Sequence, residues 1–177
     1  MLTTTKNSSP YREYYVLEAL CKMGKYEEAI RCFQKSKELM DSADSDVRPY
    51  YQISKCYLSL GNYERAIEAC KEGIEIFPKD SDFWEQLGLI YEKQGKYKDA
   101  LKAYKKMKGL STDYYSDMAD VWEAMGEQEK AVQIMEEGIR EVEDDKKAEC
   151  YSQLGDLYND RLEYGKAAQY YLKSATL

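Results

Sequence analysis

Residues 82–107, DFWEQLGLIYEKQGKYKDALKAYKKM, read as two amphipathic helices joined by a tight turn. Trp84, Leu87, Gly88 and Tyr91 fall at i, i+3, i+4 and i+7, which is one face of a helix. Gly95 interrupts the pattern, and Tyr97, Ala100, Leu101 and Tyr104 restart it with the same period. The stretch is therefore an αα-hairpin. Gly88 and Ala100 are the small residues on the two stripes, where helix axes can approach closely while larger neighbours fill the flanks. A single hairpin cannot cover its own apolar stripe, so the pattern predicts further copies along the chain.

The copies are present. The turn glycine recurs as Gly24, Gly61, Gly95 and Gly126, and the aromatic two places later as Tyr26, Tyr63, Tyr97 and Tyr164, with Gln128 in the fourth copy. Ala29, Ala66, Ala100, Ala131 and Ala167 repeat the small second-helix residue at spacings of 37, 34, 31 and 36. Tyr57, Tyr91, Trp122 and Tyr158 repeat the first-helix aromatic, which Leu20 replaces in the first copy. A generic helical bundle needs no such fixed period. The Trp-Leu-Gly-Tyr and Gly-Tyr-Ala-aromatic offsets resemble the tetratricopeptide repeat (TPR), whose period is ~34 residues. The resemblance implies an all-α, right-handed α-solenoid of five TPR-like helix-turn-helix repeats.

The reading divides the chain into a disordered lead-in, 1–9, and one array over 10–177. The repeats are expected at about 10–43, 47–80, 81–111, 112–145 and 148–177. Pro49 suits a first helical turn and Pro78 ends a second helix. Asp80, Ser81 and Asp82 are cap candidates for the third repeat. The short alanine spacing predicts a clipped second helix there, ending near Gly109. Asp144–Lys147 reads as a charged linker. Leu162 stands where the other turns carry glycine or its equivalent, which predicts a modified fifth turn. Tyr170, Tyr171 and Leu172 leave an apolar edge on the last helix. That edge suggests a piece of a longer protein or an end that stacks on another copy.

Composition narrows the function. The chain has 177 residues, 44% of them hydrophobic and 33% charged, with a formal net charge of -7 and a pI near 4.9. Such a balance disfavours nucleic acid, whose binding rests on phosphate neutralisation, and anionic membrane surfaces. No apolar run is long enough for membrane insertion. Five cysteines without a CxxC fit small buried side chains in a reducing, cytoplasmic setting. Cys150 alone is a candidate for reactivity, being near an expected helix start. Histidine is absent, and no nucleophile elbow, P-loop or dinucleotide fingerprint occurs. No catalytic residue, cofactor or metal is expected; the chain reads as a non-enzyme.

In proteins that resemble this family, the first helices line a concave groove. With residues 10, 47, 81, 112 and 148 taken as the first of each repeat, places 2, 5, 9, 12 and 13 face that peptide-binding groove; among them are Tyr11, Tyr14, Arg48, Tyr51, Lys55, Glu85, Glu92, Asp120, Glu123 and Asp156, together with Ser116 and Asp160. The face is aromatic and partly basic in the first two repeats and acidic toward the C-terminal ones. It suits an extended partner segment carrying a basic stretch. The acidic C-terminal tail of heat-shock chaperones is not expected as a partner. The clamp that TPR co-chaperones use for it needs Lys, Asn and Arg. This chain offers Tyr14, Glu18, Gln52, Asp82 and Gln86 in one register, and Tyr51, Lys55, Gln86, Asp113 and Asp117 in the next. The function expected is a protein-protein interaction scaffold. The alternatives are a homo-oligomerisation module acting through exposed repeat ends, and a TPR domain regulating a larger multidomain parent.

Overall fold

A computed structural model describes residues 18–39 and 47–177. The expected lead-in 1–9, Tyr11, Tyr14 and the segment 40–46 lie outside the described residues. Helix α1 is described over 18–22. It is followed by α2 (Tyr26–Leu39), α3 (Arg48–Ser59), α4 (Tyr63–Ile76), α5 (Ser81–Lys93) and α6 (Tyr97–Tyr104). A 3₁₀ turn, Lys105–Met107, then leads to α7 (Tyr114–Ala124), α8 (Gln128–Glu141), α9 (Asp144–Asp160) and α10 (Tyr164–Ala175). Among the described residues every regular element is helical. The chain divides into two compact units, one up to Gln86 and one from Leu87 on, with the division falling inside α5.

Helix limits follow from local chemistry. Pro49 occupies the first turn of α3, where its missing N–H costs nothing. Asn62 caps α4 by accepting the Arg65 backbone N–H at 3.2 Å. Asp80 does the same for α5, accepting the Asp82 N–H at 3.0 Å. α4 stops at Ile76, two residues before Pro78. α6 has only 8 residues before it tightens into the 3₁₀ turn.

In unit 1, Ala29, Phe33, Ile53, Cys56 and Ala69 form the core of the first hairpins, with Leu20 and Tyr57 packed against it. Ala66 and Cys70 are fully buried beside them. Ser54 is buried too, donating to the Ala66 carbonyl at 3.0 Å. Phe83 lies where a Cβ on Gly73 would stand. In unit 2, Ala100, Ala131 and Ala167 are buried, with Ile90, Met107, Val121, Met135 and Leu154 between them. The Tyr104 ring covers Gly88, and the Tyr171 ring covers Gly155. The alanine and glycine stripes are thus the contact lines of the hairpins.

All five hairpin turns have one geometry. Gly61 donates to the Leu58 carbonyl and Asn62 to the Tyr57 carbonyl, closing a Schellman motif. Gly24, Gly95 and Gly126 begin the same pair of bonds with φ of 75, 70 and 75°. Leu162 was expected to modify the turn, yet it keeps it. Its φ is 61°, Leu162 donates to Asn159 at 2.8 Å and Glu163 donates to Tyr158 at 2.9 Å. The hydrogen bonds hold a non-glycine residue in the left-handed region, where its Cβ is strained.

Two other expectations are corrected. Asp144–Lys147 is not a linker but the first turn of α9. Extended backbone at Val142 and Glu143 makes the break instead. Asp144 and Asp145 then sit favourably at the positive end of the helix, and Asp144 pairs with Lys147 at 2.6 Å. The apolar edge on α10 is narrower than expected, because Tyr170 stacks on Tyr158 with ring centroids 5.4 Å apart. Leu172 and Tyr171 do remain exposed.

Leu162 is 69% exposed, so little packing is lost on replacing it. Leu162→Gly should stabilise the chain by about 0.5–1 kcal/mol, strain relief outweighing the extra unfolded-state freedom of glycine. Urea titration measures it, and a loss of stability of similar size would show that the turn stores no strain.

Candidate functional site

The first helices carry the expected site residues at helical spacing. In unit 1, α3 places Arg48, Tyr51 and Lys55 on one face. Tyr51 is half-buried and packs edge-on against Phe83, with centroids 6.3 Å apart. The Lys55 ammonium lies 5.3 Å from the centre of its ring. Burial, then Glu85 and Asp82, push the Tyr51 hydroxyl up to about 12. Tyr51 is therefore a neutral hydrogen-bonding group across the accessible pH range, framed by Lys55 on one side and Glu85 on the other.

In unit 2, five of the expected residues line one cleft. Its volume is ≈ 230 Å³. Ser116, Asp120 and Glu123 come from α7, and Asp156 and Asp160 from α9. Met135, Ala119 and Leu157 supply apolar wall, and Gln153 an amide. The α7 residues fall at i, i+4 and i+7, and the two α9 aspartates at i and i+4, so each helix turns one stripe toward the cleft. Asp156 accepts the Tyr171 hydroxyl at 2.7 Å. Glu92, on the part of α5 that belongs to unit 2, accepts the Tyr104 hydroxyl. The Tyr104 and Tyr171 rings are the two that cover Gly88 and Gly155. One side chain thus sets a helix contact and holds an acid.

The electrostatics of this cleft are unfavourable to its own charges. Asp120 is open to solvent on one side, but the cleft walls remove water from the other, and that desolvation raises its carboxyl. Glu123 is raised by burial first, then by Asp160 and Asp120. Burial also raises Glu92, and Asp120 adds to it, while the Tyr104 bond and Lys93 oppose the shift. The neighbours acting on Glu123 are both acids. Elsewhere in unit 2 acids find cations: Lys108 meets Glu137 at 2.6 Å, and Lys166 meets Glu163 at 2.6 Å.

The structure thus brings Asp120, Glu123 and Asp156 together, with Glu92 coupled to Asp120. It places Arg48, Tyr51, Lys55 and Glu85 in the other unit. Gln153, Leu157, Ala119 and Met135 escaped the sequence reading, because the groove register used places 2, 5, 9, 12 and 13 and none of these four occupies one. Asp160 and Ser116 were legible from that register. Cys150 was read as near a helix start, but α9 begins six residues earlier, so the thiol is buried and held up by burial and by Glu149. Among the described residues no cluster of His, Cys, Asp or Glu is placed to hold a metal ion, and no helix is long and apolar enough to cross a membrane.

Two sequence models described as tetratricopeptide repeat match the chain, over residues 18–79 and 51–115. Together they run over more than half of it. The chain belongs to the tetratricopeptide repeat family. Superkiller protein 3 of Schizosaccharomyces pombe is 30% identical over 156 residues, covering 78% of this chain and 11% of that protein. Photosystem I assembly protein Ycf3 of Prochlorococcus marinus is 27% identical over 133 residues, covering 75% of this chain and 69% of that protein. A Synechococcus Ycf3 is 33% identical over 73 residues, covering 41% of this chain and 42% of that protein. The chain therefore spans only a small part of the first of these relatives and less than half of the Synechococcus one. Among solved structures, MamA from Desulfovibrio magneticus superposes with a TM-score of 0.62 at 19% identity, covering 94% of this chain and 93% of that one. TTC0263, a TPR protein of Thermus thermophilus, gives 0.63 at 20%, covering 94% and 90%. These likenesses establish the TPR solenoid fold. TPR proteins are typically non-enzymatic protein-interaction scaffolds.

Because burial raises the folded-state pKa of Asp120 and Glu123, the native chain binds more protons than the unfolded one between the ordinary carboxylate range and the raised values. Stability contributed by these groups therefore falls as pH rises through that window. The Asp120→Asn, Glu123→Gln double variant should be more stable than the parent at pH 7, with the difference vanishing below about pH 4. Urea midpoints at both pH values test this. A gain independent of pH, or a loss at pH 7, would contradict the burial of these charges.

Proposed function

We propose that this chain is a scaffold that captures an extended segment of a partner protein along its first-helix face. The acidic cleft of unit 2 receives basic side chains of that segment. The observation that carries the reading is the cleft itself. Asp120, Glu123, Asp156 and Asp160 share one recess, and two of them are destabilised as anions by burial. A lysine or arginine entering it would lower that cost, and Met135 and Leu157 would contact its methylene stem. In unit 1, Tyr51 with Lys55 and Arg48 offers an aromatic, partly basic face suited to an apolar or acidic part of the segment. A role in bringing proteins together agrees with the Ycf3 relatives, which are photosystem I assembly proteins.

A second reading is self-association through the C-terminal hairpin, where Leu162 in its turn, Tyr164 and Leu172 on α10 and Leu177 after it are exposed. Sedimentation of the chain across a concentration series separates the two, since a strict monomer removes the second.

Titration with an extended lysine- and arginine-containing peptide tests the first. Affinity should fall roughly tenfold or more from low to high salt, as expected for charge pairing near a surface. Asp120→Lys with Glu123→Lys should abolish most of the low-salt binding. Equal affinity of parent and variant, or no dependence on salt, would overturn the assignment of the cleft.

A further inference from the structure

Cys21 lies in the last turn of the described part of α1, and Cys56 lies on α3; the two are 35 residues apart in sequence. Both are on first helices, of the first and second repeats. Their sulfurs stand 3.0 Å apart, about 1 Å more than the length of a disulfide bond. Cys56 belongs to the buried core cluster, and Cys21 packs on that cluster from its edge, half-buried. Of the remaining cysteines, Cys32 packs half-buried against the same cluster but on α2. Cys70 is enclosed with Ser54 Oγ at 2.9 Å from its sulfur, and Cys150 is buried in α9 in the other unit. The two thiols, on first helices of consecutive repeats, already touch, so each is the other's nearest reaction partner.

We propose that Cys21 and Cys56 are a reversible thiol–disulfide pair that couples the first two repeats covalently when the chain meets a small disulfide oxidant such as glutathione disulfide. The half-buried Cys21, as its thiolate, attacks one sulfur of glutathione disulfide and expels one glutathione thiolate, which takes up the proton Cys21 lost. Cys56 then attacks the Cys21 sulfur of the mixed disulfide, loses its own proton and expels the second glutathione. Two protein thiols are oxidised, and one glutathione disulfide is reduced to two molecules of glutathione. The order of the steps follows from exposure. Cys56 is 1% exposed and cannot meet the oxidant. Burial and the Cys21 contact hold its thiol protonated, with Lys55 opposing them. It therefore acts second, on a sulfur already beside it.

Incubating the full chain in glutathione disulfide, then alkylating and mapping peptides by mass, tests the pair. Alkylatable thiols should fall from the five in the sequence to three, with a Cys21–Cys56 linked peptide that dithiothreitol cleaves. Cys32→Ser should keep the same linked peptide, with alkylatable thiols falling by two again, from the four that remain of the five. Cys56→Ser should instead accumulate one glutathione on Cys21, and circular dichroism of that variant shows whether it is folded. If it is not, the linked peptide in the parent and in Cys32→Ser decides alone. Retention of all five thiols, an unresolved glutathione adduct on Cys21 in the parent, or linkage of another pair would overturn the proposal.

Discussion

The ring of Tyr104 occupies the space that a Cβ on Gly88 would fill. Much else in unit 2 depends on that exclusion. A buried tyrosine removes a large apolar area from water, but only if the facing helix comes close enough to cover its ring. Glycine at 88 permits the approach, and the same relation recurs where Tyr171 covers Gly155 and Tyr115 meets Gly138. In unit 1, Phe83 over Gly73 obeys the same constraint. Each of the last three hairpins therefore lends an aromatic to a neighbouring helix that has given up its side chain there. Cores assembled this way grow by repetition and need no central globule.

The same contacts dispose the charges. Tyr104 and Tyr171 reach past their glycines to donate to Glu92 and Asp156. Carboxylates on the first-helix face are thereby oriented by the residues that set helix spacing. Elsewhere the chain's acids sit in exposed pairs with lysine, such as Lys102 with Asp99 and Lys130 with Glu127. Such pairs contribute little to stability. The cleft of unit 2 differs because its acids face one another. That difference, more than the overall net charge, is the physical basis for assigning it a basic partner group.

The architecture was legible because it is periodic. Alanines at 29, 66, 100, 131 and 167 mark buried contact lines in a way that no single repeat could, and each is fully or almost fully buried. Glycines at 24, 61, 95 and 126 mark turns by their backbone requirement. The readings that departed from the structure were aperiodic ones. The turn at Leu162 is unmodified because the Schellman hydrogen bonds impose its backbone against residue preference. The start of α9 was hidden by a charged tetrapeptide that serves equally as a linker or as a first helical turn, and the choice fell to Val142 and Glu143 upstream. The candidate site was legible where a helical register suffices, at Asp120, Glu123 and Asp156. Gln153, Met135 and Leu157 were not, since the walls of a cleft depend on how three helices meet and leave no mark at a fixed place in the repeat.

The close approach at Gly88 is the claim on which the rest stands, and two methyl groups test it. Gly88 and Gly165 are both helical glycines, but a Cβ at Gly165 would meet nothing within 4 Å. Helix propensity alone favours alanine over glycine by up to about 1 kcal/mol at either place. Overpacking at Gly88 should cost about 1–3 kcal/mol and reverse the sign. The account predicts that Gly88→Ala lowers the urea midpoint while Gly165→Ala leaves it unchanged or raises it. A Gly88→Ala variant as stable as Gly165→Ala would mean that the Tyr104 ring does not lie against that helix, and the repeat packing described for unit 2 would not hold.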